Sequence, residues 1–325
     1  MLTVLIIGCG NIAGGYDLNT QSEYALTHAA ALNKSNQVTL AACVDNNRQA
    51  AETFAEQWAV NNSYRKLEEI PKESQFDIVC ICSPSHCHET HIQQVIHFRP
   101  KVIFTEKPIT TSLLSSGNIL QQCESHSIHL LVNYSRYWDQ KLSHFIDEFH
   151  AGGYGELQSI SGFYNRGILN NGSHMLEILL RLCGPLTISA SVLKSASEVH
   201  GDTDLHAMLA TESGTPISLH CVDATHFSLF ELQVITTTGE YCMRDGGLSW
   251  HKRVKQDNPV YTNYSKLGEV SVSDGEYLPV MEHAIDDVIK LAQSSDTRPN
   301  YDSARRAIAA QALCEELVRR AECPL

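Results

Sequence analysis

The stretch LTVLIIGCGNIA, at positions 2–13, decides the fold of the first part of the chain. Its first half, Leu2–Ile7, is a continuous apolar run, typical of a strand buried on both faces of a sheet. The second half, Gly8-Cys9-Gly10-Asn11-Ile12-Ala13, has the form GxGxxA. Gly8 permits a tight turn, Gly10 lets the backbone approach a pyrophosphate, and Ala13 lets the following helix pack closely. Taken alone, this loop could also be a plain turn that ends a strand.

Three more apolar runs follow, and each ends in polar residues: Val38–Val44 at Asp45, Ile78–Cys82 at Ser83-Pro84, and Val102–Thr105 at Glu106-Lys107-Pro108. Helical patterns separate the runs at Glu23–Leu32, Arg48–Trp58, His86–Ile96 and Ser112–Cys123. The alternation predicts βαβ units, a parallel sheet and an α/β fold. The polar residues fall at the carboxyl ends of the strands, where open α/β sheets bind ligands. Residues 1–125 are therefore predicted to form a dinucleotide-binding Rossmann domain.

After residue 125 the pattern changes to strands without helices between them. Ile128–Tyr134 is predicted as a strand and Gln140–Phe149 as a helix, and then come the strands Leu157–Phe163, Leu186–Leu193, Leu205–Thr211, Ile217–Val222 and Leu229–Thr236. A hairpin turn is predicted at Thr238-Gly239-Glu240. Two helices, Leu278–Ala292 and Asp302–Ala321, close the chain around a turn at 294–300. Residues 126–325 are predicted to form a substrate and oligomerisation domain with a large, mostly antiparallel, open sheet.

The composition indicates which partners and which cellular compartment to expect. The 325 residues carry 37 acidic and 24 basic side chains, a formal net charge of −13, which repels polyphosphate and argues against a nucleic-acid partner. No apolar stretch reaches the length that spans a bilayer, and no signal-peptide pattern is seen, so we expect no membrane partner. The 11 cysteines are irregularly spaced, which favours reduced thiols and a cytoplasmic protein.

Asp45 ends the second apolar run, where a carboxylate would accept hydrogen bonds from the adenosine ribose hydroxyls. Its spacing from the glycines is longer than usual, and an insertion at Gly14–Ser22 accounts for the difference. A carboxylate repels a 2′-phosphate, so NAD is favoured over NADP. Arg48 lies close by and could reverse that preference. Asp45 could also serve as the N-cap of the next helix.

The segment after the third run is rich in possible metal ligands: His86, Cys87, His88 and His91. On a helix, however, His88 and His91 share a face that His86 does not, and no second ligand cluster is evident. We therefore expect no metal site, and instead a helix that starts beside the cofactor.

Two residues are candidates for proton chemistry. Lys107 follows the fourth run and could hydrogen-bond a substrate hydroxyl, with a cis bond to Pro108 fixing its direction. His174 follows Asn170-Asn171-Gly172-Ser173 and falls in the first turn of a helix at Met175–Leu182, where it could shuttle a proton. The alternatives are a surface lysine before a turn and a capping or packing histidine.

Together these motifs resemble the glucose–fructose oxidoreductase / inositol dehydrogenase (Gfo/Idh/MocA) family. The shared landmarks, in family order, are the glycine loop, Asp45, the Pro84-to-His88 spacing, Glu106-Lys107-Pro108, Tyr134-Ser135-Arg136, Gly155-Glu156-Leu157 and a Gly-x-His that opens a helix. The resemblance covers nearly the whole chain. It implies NAD(P)-dependent hydride transfer between nicotinamide C4 and the carbinol of a sugar or polyol, in a homo-oligomer (dimer or tetramer) assembled through the open sheet.

The resemblance also implies a role for individual residues. Lys107 and His174 would be catalytic. The cofactor would contact Gly8, Gly10, Asn11, Ile12, Asp45, Ser83, Pro84, His88 and Glu106. The substrate pocket would be lined by Tyr134, Arg136, Tyr164, Arg166 and Asn170.

One departure affects the proton relay. Many dehydrogenases of this family carry Asp four residues before the histidine, and this chain has Asn170, which cannot ionise. Hydride transfer could persist with Lys107 and His174 alone or with help from Tyr164. Alternatively the relay is broken and the protein is an NAD-binding sensor or scaffold.

The substrate class is indicated by two local features. The Asn-Gly-Ser-His version and the insertion with Gly15-Tyr16-Asp17 resemble a branch associated with surface-polysaccharide sugars, which points to a nucleotide-linked sugar. A methyltransferase would also use a glycine loop, but it would leave Lys107 and His174 without a role.

Overall fold

The structure, a computed structural model, describes residues 1–197, 199, 201–294 and 301–322. The chain divides into two compact units. The first consists of Met1–Trp138 and Leu278–Ile308, and the second of Asp139–Tyr277 and the residues from Ala309 onwards.

Six strands form the sheet of the first unit: β1 (Leu2–Ile7), β2 (Val38–Val44), β3 (Asn62–Tyr64), β4 (Ile78–Ile81), β5 (Val102–Thr105) and β6 (His129–Val132). All neighbouring pairs are parallel, in the order β3-β2-β1-β4-β5-β6. The residues of β4, β5 and β6 are buried throughout, as expected for strands covered on both faces. The predicted parallel α/β sheet is confirmed.

The strand predicted at Ile128–Tyr134 is β6, and it pairs with β5 as the last strand of this sheet. The sequence-based division at residue 125 would place that strand in the second domain. The division into functional domains stays a prediction.

The second unit contains the strands β7 (Leu157–Tyr164), β8 (Leu186–Ala196), β9 (Thr203–Thr211), β10 (Pro216–Cys221), β11 (Glu231–Thr236), β12 (Gly239–Arg244), β13 (Ser249–Asp257), β14 (Ser265–Leu267) and β15 (Ser271–Asp274). They run in the order β14-β13-β12-β11-β7-β10-β9-β8, with β15 beside β13. Among the described residues of this sheet, only β7 and β10 pair in parallel, so the mostly antiparallel sheet is confirmed. The predicted hairpin joins β11 to β12, but its turn is at Thr237-Thr238, because Gly239 and Glu240 already lie in β12.

The helices among the described residues are α1 (His28–Lys34), α2 (Arg48–Trp58), α3 (His88–Ile96), α4 (Leu113–Ser125), α5 (Gln140–His150), α6 (Ser173–Cys183), α7 (Val280–Gln293) and α8 (Asp302–Glu322). None of them is both long enough and apolar enough to cross a membrane. Of the predicted turn at 294–300, all but Ser294 lies outside the described residues. The cysteines of the described chain are free thiols.

Helix α1 starts at His28, later than the start predicted at Glu23. The reason is that side-chain hydrogen bonds fix the loop before it. Thr27 is the N-cap, and its hydroxyl accepts a hydrogen bond from the backbone N–H of Ala30. The same hydroxyl donates to the carboxylate of Asp17 at 2.5 Å, and that carboxylate also accepts the N–H of Leu26 at 3.1 Å. Asp17 lies in a 3₁₀ turn at Gly15–Asn19, so the insertion is attached to the start of α1.

Replacing Asp17 tests that attachment. Asp17→Ala leaves two donors of the α1 start without their acceptor, so we expect the free energy of unfolding to fall by about 1–3 kcal/mol. The exposed Asp287, which pairs with Lys290 within one turn of α7, is the control, and Asp287→Ala should change it by less than about 0.5 kcal/mol. Urea unfolding of the three proteins measures both values. Equal losses in the two variants would contradict the structural role of Asp17.

Candidate dinucleotide-binding site

A cavity of about 840 Å³ opens at the carboxyl ends of β1, β2 and β4, a size typical of ligand sites. It brings together most of the predicted cofactor residues, namely Gly8, Gly10, Asn11, Ile12, Asp45, Ser83 and Pro84. Tyr16 from the insertion also lines it. Two predicted cofactor residues, His88 and Glu106, are not among the lining residues.

The glycine loop has the geometry that its sequence predicts. Gly8 has φ +88°, and a Cβ on it would lie 2.6 Å from the backbone of Ser83, which follows β4. A Cβ on Gly10 would meet nothing within 4 Å, because Gly10 is exposed at the cavity. Gly8 is therefore required by packing inside the protein, whereas Gly10 leaves its backbone accessible to a ligand.

Asp45 is held beside the loop by backbone donors. Its Oδ2 accepts the N–H of Cys9 at 2.9 Å, and its Oδ1 accepts the N–H of Asn47 at 2.9 Å. A carboxylate oxygen can accept more than one hydrogen bond, so both oxygens keep capacity for a ribose hydroxyl. The N-cap of α2 is Asn47, whose side chain accepts from Gln49 and Ala50, so the capping role considered for Asp45 belongs to Asn47.

Two basic residues at this end of the cavity were not predicted from the sequence. Arg65 and Lys66 line it together with Asp45, and the Arg65 Nε donates to the carbonyl of Asn46 at 3.2 Å. Arg48 pairs instead with Glu52 at 2.8 Å and is not a lining residue. Arg65 and Lys66, rather than Arg48, are thus the cations that could oppose the preference for NAD. They follow β3, a short polar strand with no apolar pattern to reveal it.

The histidines of the segment after β4 differ in position: some line the cavity and one is buried. The Ser83 hydroxyl lies 2.8 Å from His91 Nδ1, and burial together with nearby His88 lowers the pKa of His91. His86, Cys87 and His91 line the cavity, whereas His88 is fully buried. His88 therefore does not line the cavity, and its predicted contact with the cofactor stays a prediction. No group of metal-ligating side chains is found within the described residues.

Glu106 does not line the cavity either; its side chain, 16% exposed, belongs to a polar network. Its Oε1 lies 2.8 Å from His28 Nε2 and accepts the Asn133 amide N–H at 2.7 Å. Burial opposes ionisation, but His28, Asn133 and Lys107 together hold the pKa of Glu106 below its usual value. The carboxylate is therefore ionised at neutral pH.

Lys107, Tyr134 and Arg136 lie at the same edge of the parallel sheet. Lys107 follows β5, is half-buried, and makes the expected cis peptide bond to Pro108. Tyr134 and Arg136 follow β6, the neighbour of β5; Tyr134 is buried and Arg136 half-buried.

The remaining predicted residues belong to the second unit. His174 is half-buried in the first turn of α6, as predicted. Asn170 lies in a π-helical turn at Gly167–Gly172, and its N–H donates to the Asp202 carboxylate at 2.8 Å. Arg166, just before this turn, is exposed and has φ 61°.

Tyr164 lies in the core of the second unit, contrary to the idea that it lines the pocket or assists proton transfer. Its side chain is fully buried, and its hydroxyl donates to the carbonyl of Leu205 at 2.7 Å. Burial raises the pKa of Tyr164, which makes the phenol a poor proton donor. We therefore assign Tyr164 a packing role.

The fold and the cavity define a class, the α/β proteins that bind a dinucleotide on a Rossmann sheet. Residues 2–134 match the Gfo/Idh/MocA family model, described as an oxidoreductase family with an NAD-binding Rossmann fold. The N-terminal part of the chain thus matches the NAD-binding domain of this family, which confirms the resemblance drawn from its motifs. No curated protein matches the chain.

Solved structures resemble the whole chain. A putative myo-inositol dehydrogenase from Sinorhizobium meliloti has a TM-score of 0.74 at 20% identity, covering 99% of this chain and 98% of its own. Levoglucosan dehydrogenase in complex with NADH and levoglucosan has a TM-score of 0.80 at 13% identity, with 99% and 97% covered. A 3-ketoreductase from Actinomadura kijaniata, in complex with NADP and TDP-benzene, has a TM-score of 0.75 at 15% identity, with 98% and 97% covered. At these identities the likeness establishes the fold.

Gly8→Ala tests the close approach of the loop to Ser83. The added methyl group would meet backbone that cannot move without displacing β4, and the positive φ adds strain. We expect NADH binding to weaken at least about tenfold, because the loop must shift away from the cavity. Fluorescence titration measures the affinity. Gly117→Ala is the control, since a Cβ there meets nothing within 4 Å, and a similar loss in that variant would contradict the explanation.

The network around Glu106 predicts a defined pH dependence. Its pKa in the folded protein lies below the usual 4.5, so the ionised carboxylate stabilises the fold above that value. This contribution is lost as the pH falls through the folded-state pKa. Glu106→Gln removes the titration, so its stability deficit relative to wild type should shrink on acidification from pH 7. Urea unfolding at pH 7 and at pH values below 4.5 measures the deficit. A deficit that stays constant between them would contradict the assignment.

Proposed function

We propose that this protein is an NAD(P)-dependent oxidoreductase that interconverts a carbinol and a ketone on a sugar, a polyol or a nucleotide-linked sugar. One observation carries the proposal: the Asp45 carboxylate is hydrogen-bonded to the N–H of Cys9 inside the glycine loop, at the cavity that Ser83 and Pro84 also line. Glu106 and Lys107 follow the next strand of the same sheet edge.

The residues present fit a nicotinamide dinucleotide. Gly10 and Asn11 expose backbone for the pyrophosphate, and Asp45 has free acceptor capacity for the ribose hydroxyls. When bound, the nicotinamide supplies the hydride acceptor or donor. We infer a preference for NAD because the Asp45 carboxylate would repel a 2′-phosphate, with Arg65 and Lys66 as the opposing charges.

Each catalytic candidate has a separate task in this proposal. The ammonium group of Lys107 donates a hydrogen bond to the substrate oxygen and stabilises the negative charge that develops there. The imidazole of His174 accepts the hydroxyl proton in oxidation and returns it in reduction. Since Tyr164 is buried in the core, the relay has to work without it.

The substrate class is inferred from two local sequence features and from the ligands of similar solved structures. A nucleotide-linked sugar is favoured by Asn170-Asn171-Gly172-Ser173-His174 and by the insertion. The reductase crystallised with NADP and TDP-benzene supports this class, and the enzyme bound to levoglucosan supports a free sugar. Arg136, Arg166 and Asn170 are the proposed substrate contacts, the arginines suiting a diphosphate.

The second candidate function is an NAD-binding sensor or scaffold without turnover. Asn170 favours it, because an amide cannot balance the charge of an imidazolium. Retention of both Lys107 and His174 favours the enzyme. A cytoplasmic homo-oligomer remains our expectation in either case.

Cofactor titration followed by a substrate panel tests the proposal. Purified protein is titrated with NADH and NADPH by fluorescence, and turnover is then sought with nucleotide sugars, free sugars and polyols. We expect NADH to bind more tightly than NADPH and at least one panel member to turn over. Lys107→Ala and His174→Ala should each lower kcat/KM by about 100-fold or more.

The control is Lys101→Ala, which removes an exposed lysine paired with Asp77 at 3.0 Å and should stay within about twofold of wild type. Binding without turnover across the panel would favour the sensor. Failure to bind either nucleotide would overturn both candidate functions.

A further inference from the structure

Two fully buried histidines hold the Glu106-Lys107-Pro108 segment from either side. His28 and His88 have no exposed surface, and each is the first residue of a helix, α1 and α3 respectively. One binds the residue before Lys107 and the other the residue after it.

His28 connects the glycine loop to Glu106. Its backbone N–H donates to the carbonyl of Ile12 at 3.2 Å, while its Nε2 lies 2.8 Å from Glu106 Oε1. A carboxylate accepts hydrogen bonds, so Nε2 carries the proton. The buried Nδ1 has no hydrogen-bond partner in the described part of the chain, so the ring is held through Nε2. The ring packs against Phe104 on β5, with 4.9 Å between the ring centroids.

His88 anchors the other side of the segment. Its Nδ1 lies 2.8 Å from the carbonyl oxygen of Pro108, and its Nε2 lies 2.8 Å from the carbonyl oxygen of Ser83. Ser83 lines the nucleotide cavity, so the ring bridges the end of β4 and the turn after β5. Lys107 therefore lies between two residues, each of which is hydrogen-bonded to a buried imidazole.

We propose that His28 is a positioning residue for Lys107, acting through the Glu106 carboxylate. The role in turnover rests on the proposed function, in which Lys107 contacts the substrate oxygen. Glu106 has two side-chain donors, His28 and Asn133, on the same oxygen. Loss of the buried His28 donor leaves the largely buried carboxylate with fewer hydrogen-bond donors, so it must move or take up a proton. Either change alters the position and the electrostatic environment of the adjacent Lys107.

A matched pair of variants separates the donor from the bulk of the ring. His28→Leu removes the N–H but fills the site, whereas His28→Gln keeps an N–H donor at a similar reach. The first readout is the rate at which an acylating reagent modifies the Lys107 amine, followed by mass spectrometry. Lys101, half exposed on the same sheet, is the internal reference. The second readout is kcat and the KM for NADH with the best substrate.

In His28→Leu, we expect the Lys107 modification rate, relative to Lys101, to change by about threefold or more. We also expect kcat to fall about tenfold while the KM for NADH changes little. In His28→Gln both quantities should stay within about twofold of wild type, because the donor is retained.

A folded His28→Leu protein with unchanged Lys107 labelling would overturn the proposal. Equal changes in His28→Leu and His28→Gln would also overturn it, since the donor would then be irrelevant. If circular dichroism shows His28→Leu unfolded, Asn133→Ala decides, because it removes the other donor to Glu106. Absence of turnover in wild type would contradict the proposed function, but the labelling rates would still decide the role of His28.

Discussion

The close approach of Gly8 to the backbone of Ser83 is the constraint on which the nucleotide-binding unit depends. With φ +88° and only 2.6 Å available for a Cβ, no other residue fits there without moving the neighbouring strand. Because Gly8 fits, β1 ends directly beside β4, and the loop turns over the sheet edge. The N–H of Cys9 then reaches the Asp45 carboxylate at 2.9 Å. The positions of the loop, of Asp45 and of Ser83 around one cavity follow from this contact.

Two carboxylates organise the sheet edge, and the protein holds them by different means. Asp45 is bound by backbone N–H groups and lines the cavity, so its position follows the loop and its charge is available to a ligand. Glu106 is bound by the side chains of His28 and Asn133, and it supports the backbone that carries Lys107. Glu106 stays ionised because donors replace the water lost on burial. A substitution of Asp45 should therefore affect ligand binding, whereas a substitution of Glu106 should affect the position of Lys107.

The sequence predicted the elements whose signal is local. Continuous apolar runs revealed β1, β2, β4 and β5, and the glycine pattern located the loop. Strands without such runs were missed: β3 and β13–β15 are short or largely polar, and Arg65 and Lys66 were missed with β3. The start of α1 was predicted too early because its N-cap depends on Asp17, which lies ten residues before Thr27.

By itself, the sequence determined the parallel and antiparallel sheets, the glycine loop and its partner Asp45, since periodicity, glycine placement and strand ends are encoded in neighbouring residues. Only the tertiary structure decided which predicted site residues face the cavity. His88 and Glu106 carry the expected motif spacing, yet neither lines the cavity, and Tyr164 is in the core. The partner of His28 is 78 residues away in the sequence. Such contacts depend on which strand ends become neighbours, and no local pattern records that.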